Sequence, residues 1–108
     1  MTEKQFENKV KQFLKDNGVW FIKTWSNGIQ RKGIPDIIAC VNGYFVGIEL
    51  KAENGTPSEL QKWNIEKIRE SGGIGIVLYP DQFDRFKRII RNDFKSMKSL
   101  QYQFDKNF

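Results

Sequence analysis

Two carboxylates and a lysine, Asp36, Glu49 and Lys51, have the types and spacing of metal-assisted hydrolysis. Glu49 and Lys51 are two apart in an apolar stretch, so on a strand both side chains point to one face. Asn42-Gly43 separates two segments rich in β-formers, residues 34–41 and 44–51. That dipeptide is the strongest short hairpin signal, because both residues accept the positive φ of a type I′ turn. If Val41 pairs with Tyr44, stepping outward brings Asp36 opposite Glu49. Opposed Cβ atoms lie about 4.5–5.5 Å apart, and like charges in that relation destabilise a sheet. A divalent cation between them removes the conflict. Two carboxylates, the Leu50 backbone carbonyl and waters would form an oxygen shell suited to Mg²⁺ or Mn²⁺. Such an ion polarises a phosphate and lowers the pKa of an attacking water. Lys51 could orient that water, stabilise negative charge on phosphorus or, with a depressed pKa, act as the base. A surface ion pair between Glu49 and Lys51 is the plainer alternative.

Composition narrows the chemistry further. The 108 residues contain no histidine, which excludes His-metal sites, His general bases and Ser-His-Asp triads. Any catalysis must use carboxylates, Lys, Tyr, Ser or a bound cation. A net charge of +5 and a pI near 9.4 favour a polyanionic partner. The one cysteine, Cys40, sits mid-strand and reads as a small buried hydrophobe. No apolar run reaches membrane-span length and no secretory signal opens the chain, so the expected location is cytoplasmic. Neither a membrane nor a nucleotide cofactor is expected.

The elements that must hold these residues follow from periodicity. Residues 3–17 read as an amphipathic helix, with Phe6, Val10, Phe13 and Leu14 on one face and Gly18 as the stop. Val19 to Trp25 reads as a strand, and Ser26 to Gly33 as a loop. Both faces of the Asn42-Gly43 hairpin are largely apolar, which predicts a sheet covered on both sides. Thr56-Pro57-Ser58-Glu59 offers an N-cap, a Pro at the first helical position and a capping-box Glu for a helix to about Ser71. Ile74 to Tyr79 reads as a buried strand. Asp81 caps a further helix to about Phe94, with Phe83, Phe86 and Ile90 inward. Residues 1–94 form one domain. The alternation of Leu100, Tyr102 and Phe104 in the tail, 95–108, predicts an edge strand or a dimer contact. The result is an α/β domain of order αβββαβ(α), with a four-stranded mixed sheet flanked by helices.

Gly33-Ile34-Pro35-Asp36 followed by Glu49-Leu50-Lys51, in this element order, resembles the PD-(D/E)XK nuclease superfamily. With an N-terminal helical Glu and Gln61 on the second helix, the chain is similar to a stand-alone VRR-NUC domain, a virus-type replication-repair nuclease related to Holliday junction resolvases. The resemblance covers roughly residues 3–90. It implies a restriction-endonuclease-like core and a Mg²⁺- or Mn²⁺-dependent deoxyribonuclease, structure-selective in replication, repair or recombination. Asp36, Glu49, Lys51, Glu3 and Gln61 would be its catalytic residues. Glu7 rivals Glu3 as the helix acid, and either can be a solvated helix charge. A viral or mobile-element source, and a bacterial or phage-infected cell as setting, fit the size. Cutting two strands takes two sites, so a homodimer is expected. A non-catalytic DNA-binding module on the same fold is the alternative, against which the intact Asp36, Glu49 and Lys51 argue.

Gln61 shares a helix face with Ile65 and Ile68 and should turn toward the sheet. Its partner could be an active-site water or phosphate, or an ordinary helix-to-strand hydrogen bond. Arg31 and Lys32, just before Gly33, would stand at the mouth of the site, where with Lys23 and Gln30 they could contact DNA phosphates. Lys87, Arg88 and Arg91 read as a solvated helix face. Trp20, Trp25 and Trp63 read as core or dimer contacts.

Overall fold

The computed structural model describes residues 1–25 and 32–108. Helix α1 (Glu3–Asp16) leads into strand β1 (Trp20–Lys23), the hairpin β2 (Ile37–Val41) and β3 (Tyr44–Leu50), helix α2 (Glu59–Glu70), strand β4 (Ile74–Leu78) and helix α3 (Phe83–Asn92). Sheet order is β1-β2-β3-β4, with β3 and β4 parallel and the other pairs antiparallel. This is the expected mixed four-stranded α/β sheet. Among the described residues no helix is long and apolar enough to cross a membrane.

The hairpin register follows from its turn. Asn42 and Gly43 both adopt positive φ, 51° and 84°, as a type I′ turn requires. Val41 pairs with Tyr44, and pairing continues to Ile37 with Ile48. One further step places Asp36 beside Glu49, just outside the regular ladder. Strand β2 therefore starts three residues later than residue 34.

One sheet face builds the main core. Ile37, Ala39, Val46, Ile48, Leu50, Ile74, Ile76 and Leu78 meet Phe6, Val10 and Leu14 of α1 and Phe86 of α3. Edge-on contacts of Phe83 with Phe6 and Phe13 tie the two helices together. The other face is covered only in part. Helix α2 lies over β3 and β4, where Gly47 and Gly75 pair. A Cβ on Gly75 would stand 2.9 Å from the Ile65 carbonyl, and one on Gly47 2.8 Å from Ile68 Cδ1. Two missing side chains thus let α2 settle low on the sheet. Over β1 and β2 no described helix covers the same face. Trp20 is 64% exposed, and Ile22, Cys40 and Phe45 are exposed beside it. Coverage of both faces and a buried Cys40 were expected; one helix does not span four strands, so half of this face remains bare. Trp25 and Trp63 are likewise exposed, so none of the three tryptophans belongs to the core.

Three further expectations differ from the periodicity. Helix α3 starts at Phe83 behind a 3₁₀ turn (Pro80–Gln82), with Gln82 and not Asp81 at its N-cap. Helix α2 is capped by Ser58, not Thr56: Ser58 Oγ accepts from the Gln61 amide, and the Gln61 side chain accepts from the Ser58 amide. This reciprocal box satisfies two end amides and leaves Pro57 outside the helix. The tail forms no strand. A 3₁₀ turn (Phe94–Ser96), helix α4 (Met97–Leu100) and a second 3₁₀ turn (Gln101–Phe104) bury Met97 and Phe104 in the core. Buried Gln101 accepts from the Gly75 amide, so the tail covers the β4 side of the sheet without extending its ladder.

Candidate active site

The chain reaches the site through Gly33-Ile34-Pro35-Asp36. Gly33 has φ +79°, and a Cβ there would come 2.7 Å from Leu60 Cγ of α2. Only glycine combines that backbone with that closeness. Pro35 is buried against Gly47, and the Thr24 hydroxyl donates to its carbonyl at 2.7 Å. The Thr24 amide donates to the Asp36 carbonyl at 2.8 Å, extending the β1–β2 pairing to the carboxylate.

Asp36 and Glu49 then face one another at the sheet end. Asp36 Oδ2 accepts from the Leu50 amide at 2.9 Å, and Oδ1 lies 3.5 Å from the Lys23 ammonium. The Lys51 amide bonds across to the Leu78 carbonyl. Alternation of backbone directions along a strand therefore turns the Leu50 carbonyl to the Asp36 side. Glu49 is only 3% exposed. Its Oε2 accepts from Gln61 Nε2 at 2.9 Å and lies 3.5 Å from Lys51 Nζ. Its Oε1 is buried with no hydrogen-bond partner among the described residues. Burial, and next the negative charge of Asp36, push the Glu49 carboxyl up to about 8 against the pull of Lys51. The Glu49–Lys51 contact is present, but with Glu49 buried and Lys51 half-buried it is not a superficial pair.

Helix α1 brings its first turn to the same place. Partial burial and the Asp36 charge raise the Glu3 carboxyl, with Lys51 and Lys23 opposing. Glu7, one turn on, sits within 3.4 Å of Lys4, Lys11 and Lys23. Burial alone would raise its carboxyl, but these lysines hold it below the usual range. Glu3 thus borders Asp36 and Lys51, whereas Glu7 anchors Lys23, which in turn reaches Asp36. Lys23 bridges two carboxylates inside the site, a link that strand reading alone did not reveal. Its signal was the alternation that puts Lys23 beside Ile37 on the α1 face.

The donor set fits a hard divalent cation. It offers two adjacent carboxylates and one backbone carbonyl, and one oxygen of the buried Glu49 carboxyl has no hydrogen-bond donor among the described residues. Among the described residues no three acidic, cysteine or histidine side chains form a ready-made cage.

A family model described as archaeal Holliday junction resolvase (Hjc) matches residues 2–73, well over half of the chain. The chain belongs to the Hjc family. A solved structure of a VRR_NUC domain is also similar, with 25% identity and a TM-score of 0.58, over 86% of this chain and 99% of that one. No curated protein matches it. Both likenesses agree with the PD-(D/E)XK and VRR-NUC resemblance drawn from the motif residues, and the fold is restriction-endonuclease-like.

In this Hjc-family chain, Asp36, Glu49, Leu50, Lys51 and Gln61 come together, with Glu3 at the border. Gln61 takes the helix-to-strand reading, and its strand partner is Glu49 itself. Of the residues expected at the mouth, Lys32 is exposed in the turn before Gly33. Gln30 and Arg31 lie outside the described residues. On α3, Lys87 covers the Phe83 ring and Arg91 the Phe13 ring, both turned onto the aromatic core's rim.

Proposed function

We propose that this Hjc-family chain is a Mg²⁺- or Mn²⁺-dependent nuclease that hydrolyses DNA phosphodiester bonds, prefers branched DNA such as four-way junctions, and works as a homodimer. The observation that carries the reading is Glu49. A carboxylate this buried, beside a second carboxylate and with one oxygen lacking a donor among the described residues, is costly for the fold alone. A cation bound by Asp36, Glu49 and the Leu50 carbonyl would supply Lewis-acid activation of the phosphate and of water.

The chain's own residues do the rest. Gln61 fixes the Glu49 carboxylate from α2. Lys23 neutralises part of the Asp36 charge, and Glu3 stands ready to hold a water at the border. Lys51 places its ammonium beside Glu49, where it can hold the attacking water or balance charge on the phosphate. Lys32, exposed just before Gly33, would meet the DNA backbone, with Gln30 and Arg31 preceding it in the sequence. Each chain carries one such site, and two cuts take two chains. Trp20, Ile22 and Phe45 on the open sheet face, with Trp63 of α2 also exposed, offer the apolar area that homodimer interfaces cover.

Cleavage of a synthetic four-way junction against linear duplex, with Mg²⁺, Mn²⁺ or chelator, tests the proposal. Metal-dependent cleavage that favours the junction is expected. No cleavage of either DNA would overturn the nuclease reading, and equal cleavage the preference. A monomer in sedimentation at assay concentration would overturn the dimer.

A further inference from the structure

Tyr79 is a buried phenol that the chemistry above does not use. It is completely inaccessible and follows β4 directly, one residue beyond the Leu78 carbonyl that receives the Lys51 amide. Its hydroxyl donates to the Gly55 carbonyl at 2.8 Å. Gly55 belongs to the short loop between Lys51 and α2, closed by the Gly55 amide on the Ala52 carbonyl at 3.0 Å. That loop lies along the lysine: a Cβ on Gly55 would be 3.3 Å from Lys51 Cδ and 3.5 Å from Lys51 Cβ. One hydrogen bond from the core therefore sets the wall against which the flexible Lys51 stem rests.

The phenol is itself held from behind. Asn107 Nδ2 donates to its oxygen at 3.3 Å. The Lys106 ammonium lies 4.9 Å above its ring and pairs with Asp81 at 2.8 Å. Phe108 packs onto Ile65, Val77 and Tyr79. Asp105 anchors this segment by a two-pronged ion pair with Arg69 at 2.6 and 3.0 Å.

We propose that Tyr79 is a positioning residue for Lys51, and that residues 105–108 act as a clasp keeping Tyr79 on Gly55. The inference rests on the reading of Lys51 as a group acting at the phosphate. A four-carbon ammonium side chain has many rotamers, and reactions of this kind are sensitive to displacements of about 1 Å. The clasp removes those alternatives from the Gly55 side of the stem.

Tyr79→Phe deletes one oxygen and keeps the ring. It should speed exchange of the Gly55 amide and broaden or shift the Lys51 ammonium resonance, while β2–β3 amides remain protected. In cleavage, kcat should fall about 10–100-fold with KM for DNA and Mn²⁺ affinity held within about twofold. Asn107→Ala should move both readouts in the same direction by less. Ile89→Ala, a core change remote from the loop, should lower Tm without changing kcat at a permissive temperature. Unchanged Gly55 exchange and Lys51 resonance in Tyr79→Phe would overturn the clamp, as would an equal kcat loss in Ile89→Ala. If the wild-type protein cleaves no DNA with either metal, the nuclease reading fails instead. The exchange and ammonium readouts then decide the clamp by themselves: loosening supports it and no change overturns it.

Discussion

Gln61 Nε2 holds one oxygen of Glu49 at 2.9 Å, while the other oxygen of that carboxylate is buried with no partner among the described residues. A half-satisfied buried carboxylate is poised for a ligand, and its alignment depends on how closely α2 approaches the sheet. The consequences concern the ion, the pH dependence of stability, Lys51, the α2 contact and the DNA loop.

Asp36→Asn and Glu49→Gln each remove one anionic ligand while keeping shape. Mn²⁺ affinity by calorimetry should fall at least about 10-fold, with loss of cleavage and retention of the fold. Unchanged affinity in both variants would move the ion elsewhere.

The raised Glu49 carboxyl makes the metal-free protein lose stability as pH rises. Below pH 4.5 the group is protonated in both folded and unfolded states and contributes no difference. Between 4.5 and about 8 the unfolded chain has released the proton that the folded chain retains, so stability declines across this window and levels above it. The full loss is on the order of 5 kcal/mol. Glu49→Gln should flatten the slope and be the more stable protein at pH 8 in denaturant titrations. A parallel slope in the variant would assign the effect to other groups.

Lys51→Ala should keep metal binding, because an ammonium repels a cation. Turnover should fall about 10²–10⁴-fold if Lys51 acts on the water or the phosphate. Near-normal cleavage would reduce Lys51 to an ion-pair partner of Glu49.

Gln61→Ala should weaken metal affinity or turnover about 10–100-fold by freeing the Glu49 carboxylate. Gly75→Ala is the sharper test, since it touches no site residue. Its new methyl meets the Ile65 backbone at 2.9 Å, which should lift α2 and cost about 1–3 kcal/mol. Some of the Gln61→Ala defect should accompany that loss. Full metal affinity in Gly75→Ala would mean that α2 reseats without disturbing Glu49.

Replacing Arg31 and Lys32 by Ala should weaken binding to all DNA sequences alike. The slope of log K against log salt should fall by about 0.9 for each duplex phosphate that the loop no longer neutralises. Metal affinity should not change. An unaltered slope would shift the DNA face toward Lys87, Arg88 and Arg91.

Local rules decided much of this molecule from the sequence. Asn42-Gly43 demands one turn type, the turn sets the register, and a period of two then carries Asp36 to Glu49 and Lys51 to the same face. Helix positions and element order follow from the same short-range periodicities. Only the tertiary structure decided what meets that hairpin from elsewhere. The paired Gly47 and Gly75 draw α2 close enough for Gln61 to reach Glu49, a contact between residues 12 apart in sequence. Lys23 joins Glu7 to Asp36 because α1 crosses the end of β1. The exposure of Cys40 and Trp20 follows from how far one helix can extend over four strands. The tail packs as helical turns because burying Met97 and Phe104 outweighed a period-two pattern of three apolar residues. Periodicity reports which face of an element is apolar. Which neighbour covers that face, and what lies bare beside it, depends on long-range packing that pattern alone does not encode.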